Sequence, residues 1–123
     1  MDVTPLIPVG RQMVESYGNG RFRVSGTVWQ GSILVFPEET LLWPVSSFAE
    51  LSEESLGPVL AAQPEVLLLG CGRRAEFPSK AFRQSLRAAG VIVEPMDTGA
   101  AARTFNVLMT EGRRAAAALM AVD

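Results

Sequence analysis

With 123 residues, 48% of them hydrophobic, the chain has the material for one core and too little for two. One cysteine and no histidine exclude an internal disulfide, leave no zinc-type ligand cluster, and remove the Ser-His and Cys-His nucleophile pairs. A formal charge of -2 gives no global basic field toward nucleic acid or an anionic membrane, so only local arginine pairs are candidates for anion contact.

Residues 1 to 10 read as a loose arm, because Pro5, Pro8 and Gly10 prevent regular structure. The same stretch lacks the basic and apolar regions of a secretory leader, and no later run approaches ~18 uninterrupted apolar residues. Neither export nor membrane insertion is expected, and the chain is placed in the cytosol. From Gln12 to Phe36, short β-rich runs alternate with the turn residues Gly18-Asn19-Gly20, Ser25-Gly26 and Gln30-Gly31-Ser32, with a hairpin at Asn19-Gly20. Ile33 to Phe36 is apolar without alternation, the pattern of a strand buried on both faces. Thr40 to Trp43 makes another short strand, closed by Pro44.

After a connector at Ser46 to Glu50, Ser52-Glu53-Glu54-Ser55 supplies a capping hydroxyl and two carboxylates to a helix start. Its apolar stripe is Leu56, Val59 and Leu60, and Pro64 ends it. Val66 to Leu69 is a strand, Ser79 to Ala89 a helix stopped by Gly90, and Val91 to Glu94 a second strand. That order is a βαβ unit, whose strands pair in parallel with a right-handed crossover. Asp97-Thr98 caps a further helix that runs to Met109 and stops at Gly112. For the tail, RRAAAALMAVD, alanine propensity favours helix, while a short charge-free strand inside a sheet fits equally. One domain, 1–123, accounts for the whole pattern.

Two groups of residues are candidates for function. In VLLLGCGRRAEFPS, residues 66 to 79, Gly70, Gly72 and Ala75 fit the looser dinucleotide spacing, and Glu94 sits where a ribose-binding acid would be. Pro78, however, bars a helix from running continuously out of Gly72, so the helix start that would receive a pyrophosphate is displaced to Ser79. The favoured reading is a glycine turn leaving a buried strand. Arg73 and Arg74 are then candidate anion ligands, and Cys71 a small half-buried residue rather than a reactive thiol. The second group, DTGAAARTFNVLMTEGRR from Asp97 to Arg114, places Arg103, Thr104 and Asn106 within an apolar helix. A buried Asn106 amide must find a partner, either neighbouring backbone or a ligand. Trp29, Trp43, Phe36 and Phe48 read as core or interface anchors.

In sequence order these marks resemble a small protein family. They are Tyr17 to Gly20, the G-x-x-x-x-G-S-I-L spacing from Gly26 to Leu34, Trp43, Leu67 to Gly72, and Gly90 to Met96. The most specific set is Thr98, Ala101, Arg103, Thr104, Phe105, Asn106, Leu108, Glu111 and Arg113. The family includes the mitochondrial assembly factor 3 of NADH:ubiquinone oxidoreductase and an adipogenesis-associated cytosolic homologue, beside many bacterial and archaeal members of unknown function. The resemblance covers residues 10 to 122. It implies a three-layer α/β/α-like fold with a mixed central sheet, and it makes Ala115 to Val122 a closing antiparallel strand. It further implies no established catalysis, no cofactor, and protein partners among NADH dehydrogenase (complex I) subunits or assembly proteins. The chain lacks the presequence of the mitochondrial member and looks bacterial. The rival function is binding of a small ligand or anion, by an unrecognised enzyme or otherwise, at Gly70, Cys71, Gly72, Arg73 and Arg74 with Arg103, Thr104 and Asn106.

Overall fold

The computed structural model describes residues 10–123. The arm expected over residues 1 to 10 therefore lies, apart from Gly10, outside the described residues. The first strands, β1 (Val14–Gly18), β2 (Arg21–Val24) and β3 (Thr27–Gln30), form an antiparallel three-stranded sheet in the order β1-β2-β3. Its two reversals fall where the glycines were expected. Asn19 and Gly20 have φ of 52° and 71°, and Ser25 and Gly26 have 45° and 86°, the paired positive angles that two-residue hairpins need. The chain then crosses into a second sheet through β4 (Ile33–Val35) and β5 (Thr40–Leu42).

A tight turn in which Ser52 and Ser55 exchange hydrogen bonds leads into a 3-10 segment, Glu54–Leu56, and only then into α1 (Gly57–Ala62). Ser52 does cap, but what it caps is this 3-10 turn rather than the α-helix. Pro58 in the first turn lacks an amide hydrogen, so the α-helix proper begins beside it. Gln63 in left-handed conformation, followed by Pro64, ends it. Next come β6 (Val66–Gly70), α2 (Lys80–Ala88, capped by Ser79), β7 (Ile92–Met96), α3 (Thr98–Thr110) and β8 (Ala115–Leu119). The β6-α2-β7 unit pairs its strands in parallel, as the sequence order required.

The second sheet has the order β5-β4-β8-β6-β7. The expected closing strand, β8, lies inside the mixed sheet, antiparallel to β4 as expected but parallel to β6 on its other side. Its alanines follow from that position. Ala116, Ala118 and Met120 join Trp43, Leu56, Val59, Leu67 and Leu86 in a core under α1 and α2. Ala115, Ala117 and Leu119 face the other way, into a core with Ala101, Phe105 and Met109 of α3 and Phe22 and Val24 of the three-stranded sheet. Small side chains on both faces let two layers approach one strand, and pairing on both edges overrides alanine's weak strand preference. Three layers result: α1 and α2, the mixed sheet, and α3 with the small sheet.

Candidate functional site

The β6-to-α2 loop and the start of α3 meet at the carboxyl end of the parallel strands, where open α/β sheets place ligands. What fills this position is a hydrogen-bonded knot. Thr98, fully buried, donates its hydroxyl to the Met120 carbonyl (2.7 Å) and accepts the Gly72 amide (2.9 Å). Its own amide donates to the Gly72 carbonyl (2.8 Å), the Cys71 amide donates to the Met96 carbonyl (2.9 Å), and the Met120 amide to the Gly70 carbonyl (2.9 Å). One threonine thus ties together the ends of β6 and β8 and the start of α3. The amides of Cys71 and Gly72, which a phosphate cradle would have to offer, are spent on protein oxygens.

The two glycines have separate causes. A Cβ on Gly70 would stand 3.0 Å from the Thr98 Cα and 3.2 Å from the Ala101 Cβ, so its missing side chain is space taken by α3. Gly72 has open space around it but a φ of +95°, which turns the chain back toward Thr98. Cys71, buried between them, points its thiol at the carbonyls of Leu69 and Glu76, and burial pushes its pKa above the ordinary 9.0. Neutral and enclosed, it is a packing residue.

Asn106 is consumed in the same manner. Its Oδ1 accepts the Val14 amide (2.9 Å) and its Nδ2 donates to the Val14 carbonyl (2.8 Å). The amide thereby acts as a surrogate strand partner for the free edge of β1, next to the irregularity between Val14 and Ser16. Thr104 is half-buried beside it on α3, and Arg73, Arg74 and Arg103 are exposed. These candidate residues do not form one pocket. Arg73 and Gly72 border a depression of about 390 Å³ whose walls also include Tyr17, Gly99 and the carboxylates Asp97 and Asp123. Arg103 and Asn106 border a neighbouring groove of about 340 Å³ between β1 and α3. Arg74 lines neither. Asp97 itself caps α3, accepting the Ala100 amide at 2.8 Å.

Between the two depressions stands Tyr17, which in the sequence is marked only by the family resemblance. A Cβ on Gly99 would collide with the Tyr17 hydroxyl oxygen and lie 3.3 Å from the Arg103 Nη1. Gly99 therefore lets the ring settle on the first turn of α3 with the Arg103 guanidinium close by. The overlooked signal was a glycine near the start of a helix, where its low helical propensity needs a reason. Thr98 stands out in the sequence as a helix-start residue and a family mark, since nothing there marks its hydroxyl as the tie between three segments. Elsewhere Trp43 is buried and donates its indole N–H to the Ser55 carbonyl (2.8 Å), while Glu94 is exposed on the edge strand β7.

Among the described residues no cluster of three or more His, Cys, Asp or Glu could hold a metal ion, and no helix is long and apolar enough to cross a membrane. Residues 14–120 match the family described as a protein of unknown function, DUF498/DUF598. An uncharacterised protein of Rhodobacter capsulatus is 39% identical over 111 residues, covering 90% of this chain and 86% of that protein. The Danio rerio NADH dehydrogenase (ubiquinone) 1 alpha subcomplex assembly factor 3 is 38% identical over 110 residues, covering 88% of this chain and 63% of the assembly factor. The chain thus spans less than two thirds of that relative. A crystal structure from Bordetella parapertussis superposes with a TM-score of 0.84 at 40% identity, covering 93% of this chain and 98% of the other. A solution structure from Bordetella pertussis, a Mth938-like domain, gives 0.80 at 33% identity, covering 98% and 92%. With nearly all of its described length inside the matched region, the chain belongs to the DUF498/DUF598 family and has the Mth938-like fold.

Proposed function

We propose that this chain is a non-catalytic cytoplasmic protein, folded as one unit, that binds a protein partner during assembly of an NADH dehydrogenase. The observation that carries the reading is the 38% identity over 110 residues to a protein named as an assembly factor for that complex. The geometry supports it from another side. Thr98, Asn106 and the Cys71 and Gly72 amides are spent internally, so what α3 and β1 leave available is surface: Tyr17 (45% exposed), Arg103 and Val107 (54% exposed). Arg103 and Val107 stand one helical turn apart on α3, and Tyr17 lies over the turn before them. Tyrosine and arginine are the side chains that most often anchor protein interfaces.

Affinity capture from the native host tests the proposal. NADH dehydrogenase subunits or their assembly proteins should co-purify, and Tyr17→Ala with Arg103→Glu should reduce the yield at least roughly tenfold without lowering thermal stability. Recovering none of them, with normal NADH dehydrogenase activity in a deletion strain, would overturn it. A second reading, a small anionic ligand at Arg73, draws on the depression of about 390 Å³ beside Gly72. Asp97 and Asp123 on its wall oppose an anion, which ranks this reading second. A thermal-shift screen against nucleotides and phosphorylated metabolites, with Arg73→Ala as the control, decides between them.

A further inference from the structure

The opposite face of the mixed sheet carries a feature that the assembly reading does not use. Arg73, Arg74, Lys80, Arg83 and Arg87 fall within one short stretch and hold five of the chain's 11 cations, with Glu76 as the sole carboxylate of that stretch; Arg73 turns to the depression beside Tyr17, while Lys80, Arg83 and Arg87 lie together on α2. Every one of the five is exposed, and the ion pairs among the described residues, Arg23–Glu15 and Arg113–Glu65, involve none of them. On α2 the side chains of Lys80, Arg83, Gln84 and Arg87 bound a shallow depression of about 240 Å³. The apolar residues of the same helix, Phe82 and Leu86, pack into the core, and Ser85 donates its hydroxyl to the Glu53 carboxylate. Just before the helix, Phe77 is 72% exposed, the most exposed large apolar side chain among the described residues.

We infer that α2 and the loop before it form a docking face for an anionic lipid bilayer. An acidic protein segment would share the charge complementarity, but protein interfaces draw their affinity from desolvated apolar or aromatic anchors seated in pockets. The depression on α2 is bounded by polar chains alone and offers no such seat. A headgroup layer asks for something different: many cations within reach of phosphates, and an aromatic side chain free to enter the interface. Arg74, Lys80, Arg83 and Arg87, in no ion pair among the described residues, supply the first, and the exposed Phe77 the second. The rest of the chain carries six cations against 12 carboxylates, so the same field that attracts α2 repels the other faces and fixes the orientation.

Vesicle flotation with the full chain tests this, using phosphatidylcholine vesicles with and without phosphatidylglycerol. Binding is expected only with phosphatidylglycerol, and it should weaken steeply between about 0.05 and 0.5 M salt as the charges are screened. The variant Lys80→Gln/Arg83→Gln/Arg87→Gln should lose roughly a hundredfold in affinity, each cation near such a surface being worth about fivefold. Phe77→Ser should lose several-fold. Arg21→Gln/Arg23→Gln/Arg114→Gln, which removes as much charge from other faces, should bind like the parent chain, and thermal melts should show every variant folded. Absence of vesicle binding, equal loss in the two charge variants, or binding to a glutamate-rich peptide in place of vesicles would each overturn the assignment.

Discussion

Two parts of the molecule use the same kinds of polar residue to opposite ends. Around the start of α3, Thr98, Asn106 and the Gly70 to Gly72 backbone bond one another or neighbouring strands, and no buried side-chain nitrogen or oxygen among the described residues lacks a partner. Along α2 and its preceding loop, five cations have no acidic partner among the described residues. In the first region polarity specifies geometry. In the second it is left for something outside the chain. A polar cluster that stands out in a sequence therefore says nothing about function until its partners are known.

Substitutions sharpen the contrast. The largest effect is expected at Thr98→Val, which strands the Gly72 amide and the Met120 carbonyl in a buried place. It should cost about 2–4 kcal/mol in urea unfolding, with the slope of the transition unchanged. Gly70→Ala comes next at about 1–3 kcal/mol, because the added methyl would press on the backbone of Thr98, which cannot swing aside. Gly99→Ala is its counterpoint. Only the Tyr17 ring and the tip of Arg103 stand in the way, so stability should change by less than about 1 kcal/mol while the Tyr17 signals shift in NMR spectra. Asn106→Ala frees both polar groups of Val14, at the partly wet edge of β1, and should cost about 1–2 kcal/mol. Amide exchange at Val14 should quicken more than exchange in β6.

Cys71 gives a smaller, pH-dependent test within the knot. Its folded pKa is raised by burial, so the native state holds the thiol proton more tightly than the unfolded chain does. Its contribution to stability is then complete below the unfolded value and is lost as pH rises from there through the folded value. Stability should fall at alkaline pH more in the parent chain than in Cys71→Ala, as denaturant titrations across that range would reveal.

Much of this was legible in the sequence. Hairpin glycines, the βαβ order, the Asp97 cap, the helix start at Ser79 and the break imposed by Pro78 all act locally, and local chemistry is what a sequence displays. The tail was ambiguous for the opposite reason. Whether Ala115 to Leu119 becomes helix or strand is decided by two neighbouring strands and two covering layers, and both strands are far away in sequence. The site divided in the same way. That Asn106 needs a partner follows from its chemistry, but that the partner is Val14 follows from a β1 edge far away in the chain. The space at Gly70 depends likewise on where α3 lands.

The central place of β8 has a consequence for the order in which the molecule is made. Without β8, β4 with β5 and β6 with β7 would be two separate ribbons, each with an unpaired edge for the same segment. The parallel pairs cannot stack on β4, and Thr98 has no Met120 carbonyl to receive its hydroxyl. One apolar strand fills both edges and completes both cores, so closure is expected to await it. Nascent chains held short of Leu119 should therefore stay open to protease, and release should convert them in one step.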